Sequence, residues 1–131
     1  MQFLQPPDWP RAKGYSNGIA ARGTMVFVAG EIGWDPMVEK ILSDDFTTQF
    51  RQALENTVAI LKEADAKPEH IVRMTWFITD KKAYLNNAKA IGKAYRDVIG
   101  RHFPVMAVIE VKSLMEPGAM VEIETTAVIP D

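Results

Sequence analysis

Two carboxylates stand where carboxylates are costly. Met120, Glu122, Glu124 and Thr126 share one face of a segment whose alternate positions are Val121, Ile123 and Thr125. A charge in such a strand is unfavourable unless it is paired or protonated. Two readings follow. Glu122 and Glu124 pair with Arg73, Lys112 or another strand cation, or one Glu lines a pocket and handles a proton or orients a water. Glu110 and Lys112 fit a cross-strand charge set at a sheet edge. Tyr15 lies in Gly14-Tyr15-Ser16-Asn17-Gly18, a loop from which a phenol reaches a ligand or anchors the loop itself. Trp34 and Trp76 stack a planar ligand or fill a core or interface. His102, just past a helix end, reads as a residue stabilised by the helix dipole rather than as a base.

Other chemistry is excluded by what is missing. The chain has no Cys, so it has no thiol nucleophile, no thiolate ligand and no disulfide. Its two His have no metal-ligand spacing, and no metal site is expected. No P-loop, dinucleotide fingerprint or nucleophile elbow is present, so no cofactor is expected. A formal net charge of −2, with Lys and Arg scattered singly, argues against nucleic acid as a partner. The N-terminus, broken by Pro6, Pro7 and Pro10, is not a signal peptide, and no apolar run reaches membrane-spanning length. A cytoplasmic protein without membrane contact is expected.

The elements that position these residues read as one domain over 1–131, with 1–13 as an extended N-terminal segment. Gly18–Ala21 and Thr24–Ala29, separated by Arg22-Gly23, read as a tight hairpin. Ser43, Asp44 and Asp45 offer caps to a helix with the stripe Phe46, Phe50, Ala53, Leu54, Val58, Leu61 and Ala64, stopped by Lys67-Pro68. Ile71–Thr79 is a strand. Asp80 caps a second helix with the stripe Tyr84, Ala88, Ile91, Tyr95, Val98 and Ile99, and Gly100 ends it. Val105–Val111 and Met120–Ile129 close the chain as strands. The order β-β-α-β-α-β-β implies an α+β fold, a mixed sheet with two helices packed on one face. Both faces of strands 24–30 and 105–111 are apolar, and two helices cover only one. The other face is expected to be buried by self-association.

Several blocks together resemble one family. Gly14-Tyr15-Ser16, Val28-Ala29-Gly30-Glu31-Ile32, Gln52-Ala53-Leu54-Glu55-Asn56, Phe103-Pro104-Val105-Met106 and Val121-Glu122-Ile123-Glu124 are similar, in order and nearly in spacing, to the Rid/YjgF/YER057c/UK114 family of reactive-intermediate (enamine/imine) deaminases. The resemblance spans about residues 14–129. It implies a chorismate-mutase-like fold and a homotrimer whose sheets form a central barrel, with pockets between subunits. It also implies hydrolysis of an enamine or imine to a carbonyl compound and ammonia, without cofactor.

By position, Glu122 corresponds to the residue that positions the attacking water, Tyr15 to the loop Tyr that closes the pocket, and Gly30 to a backbone contact. Glu31 stands where the family has Gln. A second carboxylate near Glu122 disfavours an anionic ligand and raises one pKa, which makes a proton donor. Met106 stands where the family has the Arg that clamps the substrate carboxylate, and Met has no donor. Met106, Ala107 and Val108 are then an apolar wall, with Trp34 a further ligand contact. Gly33-Trp34-Asp35 resembles the branches of the family that lack the Arg, among whose activities is 2-aminomuconate deamination. The expected function is hydrolytic deamination of a non-standard substrate, a 2-aminomuconate-like one being an example. The alternative is a small-molecule-binding or regulatory trimer that kept the cleft and lost catalysis.

Overall fold

The structure, a computed structural model, describes residues 1–131. Eight strands and three α-helices follow in order: β1 Gln2–Leu4, β2 Gly18–Ala20, β3 Thr24–Ile32, β4 Trp34–Asp35, β5 Lys40–Ile41, α1 Phe46–Glu63, β6 Ile71–Ile78, α2 Lys81–Asn86, α3 Ala88–Val98, β7 Val105–Glu110 and β8 Val121–Ile129. The main sheet has the order β3-β8-β6-β7. β8 is antiparallel to both neighbours and β7 is parallel to β6, so the sheet is mixed.

The hairpin expected at Arg22-Gly23 is not formed. β2 pairs with β1 of the N-terminal segment, and β3 pairs with β8. Gly23 explains the change. It has φ +146°, and a Cβ there would stand 1.9 Å from the Ile129 carbonyl oxygen, so the chain crosses directly over the end of β8. β2 is thereby led away from β3.

α1 starts at Asp45, whose carboxylate accepts from the Thr48 backbone N–H at 3.0 Å. It ends in a Schellman turn: Asp65 N donates to Lys62 O and Ala66 N to Leu61 O, both at 3.0 Å. Asp65 takes the left-handed conformation, φ 56°, four residues before Glu69 and ahead of the expected Lys67-Pro68 stop. Phe46, Phe50, Ala53, Leu54 and Leu61 are buried as the stripe requires, and Ala66 replaces the exposed Ala64. The second expected helix is two. Asn87 breaks it, because its side-chain amide donates to the Ala83 carbonyl at 2.7 Å and competes with the helical ladder. α1 packs against β3, β8 and α3. Ile91, Ala94 and Tyr95 of α3 share one core with Met74, Trp76, Val121 and Ile123 of the sheet.

The helices therefore cover one face of the sheet. On the other face Phe27 is 70% exposed and Met25 56% on the edge strand β3, and Ile109 is exposed on β7 at the opposite edge. No helix is long and apolar enough to cross a membrane.

Candidate functional site

β3 carries a β-bulge. Val28 pairs with Thr125 and Glu31 with Ile123, so Ala29 and Gly30 together oppose the single residue Glu124. The bulge lays Gly30 against Glu122. A Cβ at position 30 would stand 2.8 Å from Glu122 Cδ and 3.0 Å from its Oε2. Glu31 is half-buried, and its carboxyl is pushed above the ordinary glutamate range, first by burial and then by the charge of Glu122. Neither Glu122 nor Glu124 joins an ion pair; the three in the structure are Arg22–Asp131, Arg51–Asp97 and Lys93–Asp97. The strand-cation reading of these carboxylates therefore fails. Glu110 differs again: its Oε2 accepts from the Lys81 backbone N–H at 2.7 Å, at the start of α2.

α1 holds this end of β3 in place. Asn56 Nδ2 donates to Ile32 O at 3.2 Å and Trp34 O at 2.9 Å, and Gln52 Nε2 donates to Asn56 Oδ1 at 2.8 Å. Gly33 lets helix and strand meet: a Cβ there would lie 2.4 Å from Gln49 Cα. Sequence reasoning missed Gln49, which is fully buried in α1. Its Nε2 donates to Ser43 O at 2.9 Å and Gly118 O at 3.0 Å, and its Oε1 accepts from Met120 N at 2.8 Å, two residues before Glu122. The signal was available, since Gln49 falls among the helical stripe positions Phe46, Phe50 and Ala53.

Tyr15 lies elsewhere. Ser16 N donates to Pro104 O at 3.1 Å, and Ser16 Oγ donates to Phe103 O, which ties the Tyr15 loop to the start of β7. Tyr15, Met106 and Val108 line a cleft of about 560 Å³ with Trp76, Tyr84 and Tyr95. The structure thus brings Tyr15, Met106 and Val108 together, and separately Gly30, Glu31 and Glu122. Ala107 neighbours Met106 in sequence but points to the opposite face of β7. Trp34 lies in the short β4–β5 pair and lines neither the cleft nor its rim.

The two groups are far apart within one chain. Met106 pairs with Met74 on β6, and Glu122 with Phe77, on opposite faces of the sheet. Two strand spacings and three residues separate their Cα atoms by roughly 14 Å. His102 is engaged rather than free: its Nε2 lies 2.6 Å from Ile71 O. Burial raises the phenols of Tyr84 and Tyr95 above the ordinary tyrosine range, so both stay protonated donors at neutral pH.

A mixed α+β chain with a strand-borne carboxylate pair and an aromatic cleft is a recognisable class. The family model described as endoribonuclease L-PSP matches residues 8–129. The chain belongs to that family, known also as YjgF/RutC/Rid. A RutC family protein of Aquifex aeolicus is 34% identical over 129 residues, spanning 98% of this chain and 99% of its own length. A 2-iminobutanoate/2-iminopropanoate deaminase of Salmonella typhimurium is 34% identical over 109 residues, 81% of this chain and 80% of its own. A crystal structure of a Rid-family protein of unknown function from Yersinia pestis matches in fold with a TM-score of 0.85, over 98% of both chains, at 24% identity.

Proposed function

We infer that the protein is a cofactor-free hydrolase that deaminates an enamine or imine and releases ammonia, working as a homotrimer. The observation that carries this reading is Glu122, a strand-borne carboxylate with no ion-pair partner, laid against the bare Cα of Gly30 at the β-bulge. Glu31, whose carboxyl is pushed upward by burial and the Glu122 charge, is next along β3. Hydrolysis of a C=N bond needs a base and an acid together. Water adds to the carbon and gives up a proton, while the nitrogen gains one. The carbinolamine then expels ammonia as the carbonyl forms, and one water is consumed per C=N. Glu122 takes the proton from water, and Glu31 holds the one the nitrogen needs. The named activity of the Salmonella typhimurium relative supports this reaction class.

The separation within one chain supports the trimer. No small ligand spans roughly 14 Å and both sheet faces to meet Met106 and Glu122 of the same chain. A second copy laid on the open face, with its exposed Met25 and Phe27, supplies the missing half of the site and covers that apolar surface. Met106 offers the substrate no donor, so a small α-imino acid loses its carboxylate partner on β7. The substrate is accordingly non-standard, a 2-aminomuconate-like enamine being one example. The same Met106 favours the second reading, a binding or regulatory trimer without turnover.

The test is ammonia release from imines generated by amino-acid oxidases and from 2-aminomuconate. An enzyme releases ammonia from at least one, and Glu122→Ala lowers its turnover by orders of magnitude. If the assembled wild type releases none, the hydrolase reading falls and the binding reading stands.

A further inference from the structure

We propose that the cleft between α3 and β7 takes a ligand with a flat apolar body and one carboxylate end, and that Arg96, assisted by Lys13, pairs with that carboxylate. The cleft is the substrate cleft of the hydrolase reading, and only the chemistry done there rests on that reading.

The wall is a continuous run of aromatic rings. Tyr84 meets Trp76 edge-on at 6.5 Å, Trp76 meets Tyr95 at 6.0 Å, and Tyr95 stacks on Phe103 at 5.8 Å with 15° between planes. Such rings take a planar body by offset stacking or edge contact. The volume of about 560 Å³ is in the range of sites for ligands of ten or more heavy atoms. A three- or four-carbon imino acid would leave most of it, and most of the rings, unused.

The wall also holds an unpartnered donor. Trp76 is 5% exposed, lines the cleft, and its indole N–H has no hydrogen-bond partner. A buried polar group without a partner is rare enough to require an explanation. The nitrogen has no accessible surface of its own, so a ligand acceptor satisfies it only where seating the ligand shifts the rings. The Tyr84 hydroxyl likewise donates to no protein group, whereas that of Tyr95 is used by His102 O at 2.6 Å.

Charge decides the other end of the ligand. Lys13 and Arg96 are the cleft's only ionisable groups other than tyrosines, and no carboxylate lines it. Neither cation takes part in an ion pair. Arg96 Nη1 lies over Gly92, one turn earlier in α3, where a Cβ would approach it to 3.2 Å. Glycine is a poor residue for a helix interior. At position 92 it leaves the guanidinium room against the helix at the edge of the cleft. The cation absent from β7 at Met106 is thus replaced by one on α3, across the cleft.

Calorimetric titration of the intact protein tests this without requiring turnover. The probes are phenylpyruvate, pyruvate and phenylacetone, which supply ring and carboxylate together, carboxylate alone and ring alone. Phenylpyruvate should bind at least tenfold tighter than either of the others. Arg96→Gln should weaken phenylpyruvate about tenfold and leave phenylacetone unchanged, and added salt should mimic the variant. Gly92→Ala, which crowds the guanidinium without removing its charge, should weaken phenylpyruvate by a smaller factor. Equal binding of pyruvate and phenylpyruvate, or an Arg96→Gln variant equal to wild type, overturns the proposal. Binding as expected with no ammonia released from the corresponding imine, from the other oxidase-generated imines or from 2-aminomuconate leaves this proposal standing and defeats the hydrolase reading. Ammonia release indifferent to ring and Arg96 does the reverse.

Discussion

The carboxylate of Glu122 rests on the bare Cα of Gly30, so closely that a methyl group there would stand 2.8 Å from Cδ. Only the far end of a flexible side chain is in the way. Gly30→Ala is therefore expected to move the carboxylate rather than unfold the protein. A displacement of an ångström at a catalytic group costs up to about a hundredfold in rate. Ammonia-release kinetics should fall at least tenfold while the thermal midpoint stays close to wild type. A large drop in midpoint with activity per folded molecule preserved would contradict this.

Glu31 sets a pH dependence of stability. Its folded pKa is raised from the ordinary 4.5, so the folded state binds its proton more tightly than the unfolded state does. The stability this contributes is complete below the unfolded value and is lost as pH rises through the folded one. Glu31→Gln, which cannot ionise, is expected to melt above wild type at pH 7 to 8, and the gap should close as pH falls below about 4.5. A gap that widened toward acid would show the sign to be wrong. Because Glu31 acts in its protonated form, the same variant should alter the alkaline limb of the pH–rate profile, and an unchanged profile would remove Glu31 from the proton transfer.

Gln49 is a stability prediction without catalytic content. Its removal in Gln49→Ala leaves two carbonyls and one N–H unpaired and opens a cavity in a site with no solvent access. The expected loss is about 3 kcal/mol in urea unfolding. Gln49→Glu should be no better, because a carboxylate cannot donate to the Ser43 and Gly118 oxygens.

Phe27 tests the assembly. It is 70% exposed and outside the core cluster, so Phe27→Asp should leave the fold of one chain intact. Light scattering should find wild type near three times the 14.7 kDa chain mass and the variant near one. Circular dichroism should match, and turnover should disappear with the trimer. A wild-type protein that is monomeric at working concentration would defeat the shared-site scheme.

The parts of the fold set by burial periodicity could be read from the sequence. The α1 stripe, the core positions of β6 and β8 and the two apolar sheet faces all follow from alternation or helical spacing. What escaped depended on side chains acting on backbone. Asn87 splits a helix by bonding one carbonyl, Gly23 steers β3 onto β8, and Gln49 is polar at a core position because three backbone groups there need it. For the site, patterning singled out Tyr15 and the carboxylates of β8, and the family resemblance chose Glu122 between the two carboxylates and supplied Met106. Their division between two faces follows from strand alternation and from sheet order, and sheet order is not written in any local run of residues. Trp34 was expected at the ligand as a ring able to stack on it, but its backbone is fixed to α1 by Asn56 and it does not line the cleft.

The bulge at Ala29 and Gly30 also has an arithmetic consequence. Counted one for one from Val28 and Thr125, Glu31 would face Glu122 squarely across the ladder. Two like charges in that position repel at close range. The extra residue slides Glu31 along to Ile123 and gives Ile32 the place opposite Glu122. The proton affinity of Glu31 is thus tuned by chain length, through an offset of one position, and shortening β3 by one residue would detune it without altering either carboxylate.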